Sequence, residues 1–306
     1  MTPPLIFDRT LLRARRRRAL RLGPETFLLD RVADDFADRL RVVLRRFDLA
    51  ADIGTPTAAV RAALIRDGAI GAMIALDPIV DAARNLSGDH AAAVAFRAVG
   101  DEEALPFAEA SLDLVVSGLA LQAVNDLPGV LVQIRRALKP DGLLLAALLG
   151  GDTLTELRQS FAMAESELDG GVSPRVAPFA DVRDMGALLR RAGFALPVTD
   201  ADRLTVRYGT PLHLLRDLRR MGAANPLIER RRAPLRRATL MRAMEVYAAR
   251  FADPDGKVRA SFDIIWLSGW SPHADQQQPL RPGSAKARLA DALGVTEIAS
   301  GEKPGR

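Results

Sequence analysis

The chain has 306 residues, 48% of them hydrophobic and 26% charged, with a formal net charge of +5. That length can bury a sizeable core, and no apolar run reaches the roughly 18 residues a membrane span needs. Because cysteine is absent, disulfides, thiolate metal sites and cysteine nucleophiles are excluded, which fits a reducing, cytoplasmic setting.

The basic balance is an arginine balance, since lysine stands only at positions 139, 257, 286 and 303. With so much alanine, its plainest source is the coding bias of a GC-rich genome. The functional alternative is an anionic partner or membrane surface, met by the arginine clusters at 13–21 and 230–237. Neither cluster carries interleaved aromatics, so no stacking platform for single strands, and no specific nucleic-acid partner, is expected.

In chain order, the opening MTPPLIFDRTLLRARRRRALRLG lacks the apolar segment of a secretory signal. Asp8 beside Arg9 also speaks against a transit peptide. Residues 1–40 therefore read as a basic helical arm, which could also hold the protein peripherally at the inner membrane. Residues 41–275 read as the main domain. LAADIG leads into a helix over 58–66, AMIALD into a helix over 79–84, and AVAFRAVG into a loop. LDLVVS precedes the helical VLVQIRRALKP, after which Asp141 and Gly142 turn the chain into LLLAALLG. Uniformly apolar strands separated by helices predict a parallel sheet covered on both faces, a doubly wound α/β fold.

Beyond Gly151 a helix is expected over DTLTELRQSFAMAESEL, with Asp152 as its cap and Glu156 in its first turn. A Gly/Pro-rich loop, the helix DVRDMGALLRRAGF and the strand DRLTVRY follow. Helical material over about 211–255 then reads as an insertion before a last strand, KVRASFDIIWLSGW. Trp266 and Trp270 fall on one face of that strand, where core packing is the expected role. Residues 276–306 are rich in Gln, Pro, Gly and charge and read as a loose tail.

Acids stand where the strands end: Asp52 after the first, Asp77 after the second, and Asp101, Glu102 and Glu103 after the third. Ligands of open α/β sheets bind outside the carboxyl ends of the strands. An acid in the position of Asp77 can accept both hydroxyls of a ribose. A group after the third strand can meet an adenine amino group, and Ser117, ending LDLVVS, faces the reaction centre. The turn after the first strand holds one glycine, Gly54, followed by Thr55, Pro56 and Thr57. The threonines can bond a carboxylate or cap the next helix, while Pro56 removes one donor. The only histidines are His90, His213 and His273. His273 and Asp275 have the short spacing of part of an iron triad, but all three read better as ordinary polar residues, and no metal site is expected. Neither a Gly-x-Ser-x-Gly elbow nor an HExxH motif is present.

GDEEALPFAEASLDLVVSGLALQAVND followed by IRRALKPDGLLLAAL resembles the second half of a class I S-adenosylmethionine-dependent methyltransferase domain, over residues 50–149. A narrower resemblance runs to about residue 282. IFDRTLLRARRRRA, DEEALPF, GGDTLTELRQSF, GGVSPRVAPFADVRDMGALLRRAGF, RDLRRMGAANP and GWSPHADQ are ordered as in the family of the mitochondrial complex I assembly factor 5 and its BioC-like bacterial relatives. The resemblance implies a Rossmann-like methyltransferase sheet with S-adenosylmethionine as ligand. It implies a protein substrate in respiratory complex I assembly, an iron–sulfur subunit, altered by arginine hydroxylation or methyl transfer. The alternatives are a BioC-type methyltransferase of a small molecule or acyl-carrier substrate, and a non-catalytic assembly chaperone with a degenerate cofactor loop. Asp52, Gly54, Thr55, Asp77, Asp101, Glu102 and Ser117 form the implied cofactor set. Asp152, in the GGDT block with Thr153, Gln122, and His273, in the late segment with Gln276, are the catalytic candidates. The sequence departs from the family twice: the glycine-rich loop is reduced to Gly54, and Gln122–Ala123 replace a His–Trp pair.

Overall fold

A computed structural model describes residues 5–66, 68–79 and 94–276, with isolated positions at 291 and 294–296. The apolar runs are strands: β1 (Phe47–Ile53), β2 (Ile70–Asp77), β3 (Val94–Val99), β4 (Leu112–Gly118), β5 (Leu138–Gly150), β6 (Ala195–Tyr208) and β7 (Val258–Trp270). Among the described residues they form one sheet in the order β3-β2-β1-β4-β5-β7-β6. The first five run parallel, and β7 enters antiparallel between β5 and β6. The helices are α1 (Arg9–Leu22), α2 (Phe27–Arg41), α3 (Ala59–Arg66), α4 (Leu127–Ala137), α5 (Thr155–Leu168), α6 (Val182–Arg191), α7 (Pro211–Arg220) and α8 (Arg237–Phe251). The doubly wound α/β expectation holds.

Both faces of the sheet are covered, and β5 shows why its sequence looks uniformly apolar. Leu143, Leu145, Ala147 and Leu149 pack into one layer, while Leu144, Ala146 and Leu148 pack into the other. The alternation of a strand is present, but each side meets hydrocarbon. Asp141 adopts φ +60°, and the β4–β5 register jumps from Leu112↔Leu138 to Leu114↔Leu143. The expected turn is therefore an irregularity inside β5.

The segment read as a basic arm divides in two. α2 buries Leu28, Leu29, Val32, Ala33, Phe36, Ala37 and Leu40, apolar positions at helical spacing. Phe36 meets Trp266 edge-on at 5.0 Å, Arg39 lies 4.3 Å over the same indole, and Trp266 Nε1 donates to Asp202 at 3.1 Å. Trp266 is thus a core residue, and Trp270 packs partly buried against the same cluster. α2 is a wall of the sandwich; only α1 has the composition of an arm.

Other details differ from expectation. β6 starts at Ala195, well before DRLTVRY, because an edge strand with polar residues facing water hides its own periodicity. Asp152 does not cap α5: the cap position is Leu154, at φ +56°. Glu156 does lie in the first turn, where its buried carboxylate accepts from Ser261 Oγ at 2.6 Å and Ser261 N at 3.1 Å. Apart from Ile79, the helix expected over 79–84 lies outside the described residues, as does His90. The chain divides into the units Met1–Pro272 and His273–Arg306, and most of the expected tail lies outside the described residues.

Candidate functional site

The strand order reverses between β1 and β4, so their carboxyl ends form the crevice in which open α/β sheets bind ligands. Gly54 leaves β1 at φ +69°, a conformation that costs a side-chain-bearing residue strain, and its N–H donates to Leu76 O at 2.8 Å. Thr55 Oγ1 donates to Asp52 and accepts from Gly118 N at 2.9 Å. Ser117 Oγ donates to Ile53 O at 2.7 Å. Asp52 is fully buried and paired with Arg61 of α3. Burial dominates and pushes its carboxyl up, against the pull of Arg61 and Thr55. Three predicted cofactor contacts, Asp52, Thr55 and Ser117, are therefore internal struts tying β1 to β4 and α3.

Asp77 is placed differently. It ends β2 and lines a cavity of ≈ 360 Å³ with Gln122, Arg16, Leu12 and Ala19. Oδ1 accepts from Ile79 N at 2.7 Å, and the second oxygen has no hydrogen-bond partner among the described residues. Burial pushes the Asp77 carboxyl up to about 6, against the pull of the Ile79 amide and the charge of Arg16.

The acids after β3 face α1. Arg9, Arg13 and Arg16 stand at i, i+4 and i+7, on one helix face. Arg9 bonds Glu102 and, at 2.9 Å, Asp101; Arg13 bonds Asp101. Arg16 Nη1 lies 3.3 Å from Glu102 Oε1 and 3.4 Å from Gly54 O. Although burial raises Asp101, the Glu103 amide, Arg9 and Arg13 hold it below the ordinary carboxylate range. Glu102 is 1% exposed and lies across Gly54, where a Cβ would sit 2.6 Å from its Oε1. Two arginines of the basic cluster at 13–21, Arg13 and Arg16, thus pair with carboxylates of the fold. In the other cluster Arg230 pairs with Asp8, and Arg231 and Arg236 with Asp169.

Of the catalytic candidates, Gln122 reaches the cavity. Its Nε2 donates to Leu119 O at 2.8 Å, and its buried Oε1 has no partner among the described residues. Asp152 is an exposed strut: its N–H donates to Asp263 at 2.8 Å and its carboxylate accepts from Arg203 at 2.9 Å. Thr153, beside it, is buried between Gly150 O and the Asp263 backbone. His273 opens the second unit, where its Nδ1 accepts from Asp275 N at 3.2 Å. The charge partners Arg9, Arg16 and Arg61 were missed by sequence reasoning. For the first two, the i, i+4, i+7 stripe of arginine within the run was the available signal.

A profile described as a methyltransferase domain matches residues 51–146. The chain is 41% identical over 289 residues to "Arginine-hydroxylase NDUFAF5, mitochondrial" of Homo sapiens, covering 94% of this chain and 83% of that one. It is 39% identical over 176 residues to the malonyl-[acyl-carrier protein] O-methyltransferase of Xylella fastidiosa, covering 58% of this chain and 57% of the relative. Its fold superposes on that of a protein from Bacillus halodurans C-125 proposed to be a methyltransferase. The TM-score is 0.55 at 15% identity, over 78% of this chain and 99% of the other. With near-complete alignment to the first relative and the strand order of the class I methyltransferases, the chain belongs to the family of the mitochondrial arginine-hydroxylase NDUFAF5.

Proposed function

We propose that the chain binds S-adenosylmethionine in this cavity and modifies an arginine side chain of a protein substrate during respiratory complex I assembly. The observation that carries the ligand is Asp77, a buried strand-end carboxylate that lines the cavity with one oxygen free of partners among the described residues. The residues present fit the cofactor. The cavity of ≈ 360 Å³ falls within the roughly 300–1,000 Å³ of small-ligand sites. Gly54 turns the chain at positive φ after β1, with Glu102 lying across it, and Asp77 supplies the acceptor that a ribose diol requires. Bound there, S-adenosylmethionine supplies an electrophilic methyl carbon. This chain's own residues orient and enclose: Asp77 takes the ribose, and the apolar lining from Leu12, Leu28 and Phe161 excludes water.

The arginine target is supported by the relative named an arginine-hydroxylase, aligned along 94% of this chain. The family resemblance indicates an iron–sulfur subunit of complex I as the protein that carries it. Hydroxylation adds one oxygen atom to the arginine. With dioxygen as the oxygen source, the balance takes two electrons from a reductant, and the second oxygen leaves as water. Attachment to a membrane surface through the basic arm gains little from the fold, because Arg9, Arg13 and Arg16 are spent on internal carboxylates.

Calorimetric titration with S-adenosylmethionine, run beside Asp77→Ala, tests the ligand. Binding by the parent chain and its loss in the variant are expected; no binding by the parent overturns the reading. Mass spectrometry of the iron–sulfur subunit from a deletion strain tests the reaction. An arginine lighter by one oxygen identifies hydroxylation, and one lighter by one CH2 identifies methyl transfer. An unchanged subunit refutes the substrate assignment.

A further inference from the structure

The bare face of Gly54 is where the turn after β1 admits a ligand, and in this structure a side chain of the protein lies there. Glu102 is fully buried, with Oε1 inside the space that a single methyl group on Gly54 would need. Two guanidinium groups hold it, Arg9 through Oε2 and Arg16 through Oε1 at 3.3 Å. Both come from α1, which also contributes Leu12, Arg16 and Ala19 to the cavity wall.

The way α1 is attached favours release. Its buried residues are Leu12, Arg16 and Ala19, so one of three carries a charge, whereas α2 buries seven residues of the main core. Leu12 belongs to a small satellite cluster with Phe7, Ala123 and Leu227. Polar bonds add to the attachment: Asp8 N–H donates to Pro226 O at 2.8 Å, Ile228 N–H donates to Ile6 O at 2.9 Å, and Arg230 pairs with Asp8. Asn125 Oδ1 accepts from the N–H groups of Ile6 and Phe7, at 2.8 Å each, and Arg9 Nη1 donates to Ala123 O at 3.1 Å. α1 ends at Gly23, at φ +78° before Pro24, where the chain changes direction into α2. Segments with little apolar burial open more readily than core elements. The Nε atoms of Arg9 and Arg13 are buried without a partner among the described residues, so the network that closes α1 is incompletely satisfied.

From this arrangement we propose that Glu102 is an internal plug over Gly54, latched by Arg9 and Arg16 of α1, and that it must withdraw for the cofactor to enter. The plug is an autoinhibitory contact between the segment after β3 and α1, which forms part of the cavity wall. It rests on the cofactor reading above, and it reverses the role that sequence resemblance implies for Glu102. A contact residue strengthens binding, whereas a plug opposes it. When the binding-competent form is a fraction of the population, apparent affinity falls by that fraction.

The experiment is stopped-flow and calorimetric binding of S-adenosylhomocysteine to the full chain and to Glu102→Ala, Glu102→Gln and Arg9→Met/Glu102→Gln. The double variant also loses one of the buried cations, which guards against a folding failure of the single ones. A plug that is open about a tenth of the time predicts about ten-fold tighter binding once Glu102 is removed, carried by faster association. Unchanged or weaker binding by Glu102→Ala and by the double variant overturns the proposal and restores Glu102 as a contact. Hydrogen exchange of the ligand-free chain provides an arm independent of the cofactor. Residues of α1 should exchange faster in Glu102→Gln than in the parent, while those of α2 keep their rate. Equal exchange of α1 refutes the latch even if S-adenosylhomocysteine never binds, an outcome that would separately refute the cofactor reading.

Discussion

Asp77 makes the cofactor reading quantitative. Its carboxyl titrates at about 6 because it is buried at the end of β2 with one amide for a partner. At about pH 5 roughly nine-tenths of it is therefore protonated in the free protein. Two ribose hydroxyls donate to the ionised form, and such bonds return a carboxylate towards its ordinary value near 4. Linkage between these two states predicts binding about ten-fold weaker at pH 5 than at pH 7.5, or about 1.4 kcal/mol. It also predicts release of about 0.8 proton per ligand bound at pH 5 and almost none at pH 7.5. Titrating S-adenosylhomocysteine by calorimetry in buffers of different ionisation enthalpy measures both quantities. Asp77→Asn keeps the shape and loses the proton, so its affinity should be low and flat across this range. A pH slope that survives in Asp77→Asn would refute the reasoning.

Stability supplies a check of opposite sign. A carboxyl whose pKa is raised on folding binds its proton more tightly in the native state, so carrying the charge destabilises the fold at higher pH. The cost grows from about pH 4 to about pH 6 and then levels at about 3 kcal/mol. Asp77→Asn should accordingly raise the melting temperature at neutral pH and lose that advantage as the pH falls towards 4.

Arg61→Met leaves Asp52 ionised or protonated without its buried partner. Breaking such a pair costs about 3–5 kcal/mol, to be read as a lower urea midpoint at unchanged slope. Gly54→Ala forces a side-chain-bearing residue to φ +69° and sets its Cβ against Glu102. The strain alone should remove about 1–2 kcal/mol of stability in the same assay, and an unchanged midpoint would show that the turn adopts another conformation. Trp266→Ala, deleting the indole between Phe36 and Arg39, should cost about 3–5 kcal/mol.

Much of the fold was legible because a sheet covered on both faces writes continuous apolar runs into the chain, and β1, β2, β4 and β5 carry them. β6 was half hidden, since Asp200, Asp202 and Arg203 lie on an edge strand open to water. α2 was misjudged for a different reason. Its charged face continues the arginine-rich start, and only its burial against Trp266 shows it to be core. Net charge reports composition; which face a helix buries depends on the element that meets it.

At the site, Asp52, Asp77 and Glu102 look alike in sequence, each an acid just past an apolar strand. Folding gives them different fates, and the difference lies in their counterions. Asp52 meets Arg61, nine residues away, and Glu102 meets Arg9, 93 residues away. Asp77 has no ion pair among the described residues. A paired buried carboxylate has its charge spent on structure, because releasing it costs the desolvation of both partners. An unpaired one leaves its carboxylate open to the donors of a ligand. The acid itself is visible in the sequence, but a partner 93 residues away is set by tertiary contact. Of the three, Asp77 is therefore the acid that the cofactor reading uses, whereas the charge of Glu102 is spent on Arg9 and Arg16 of α1.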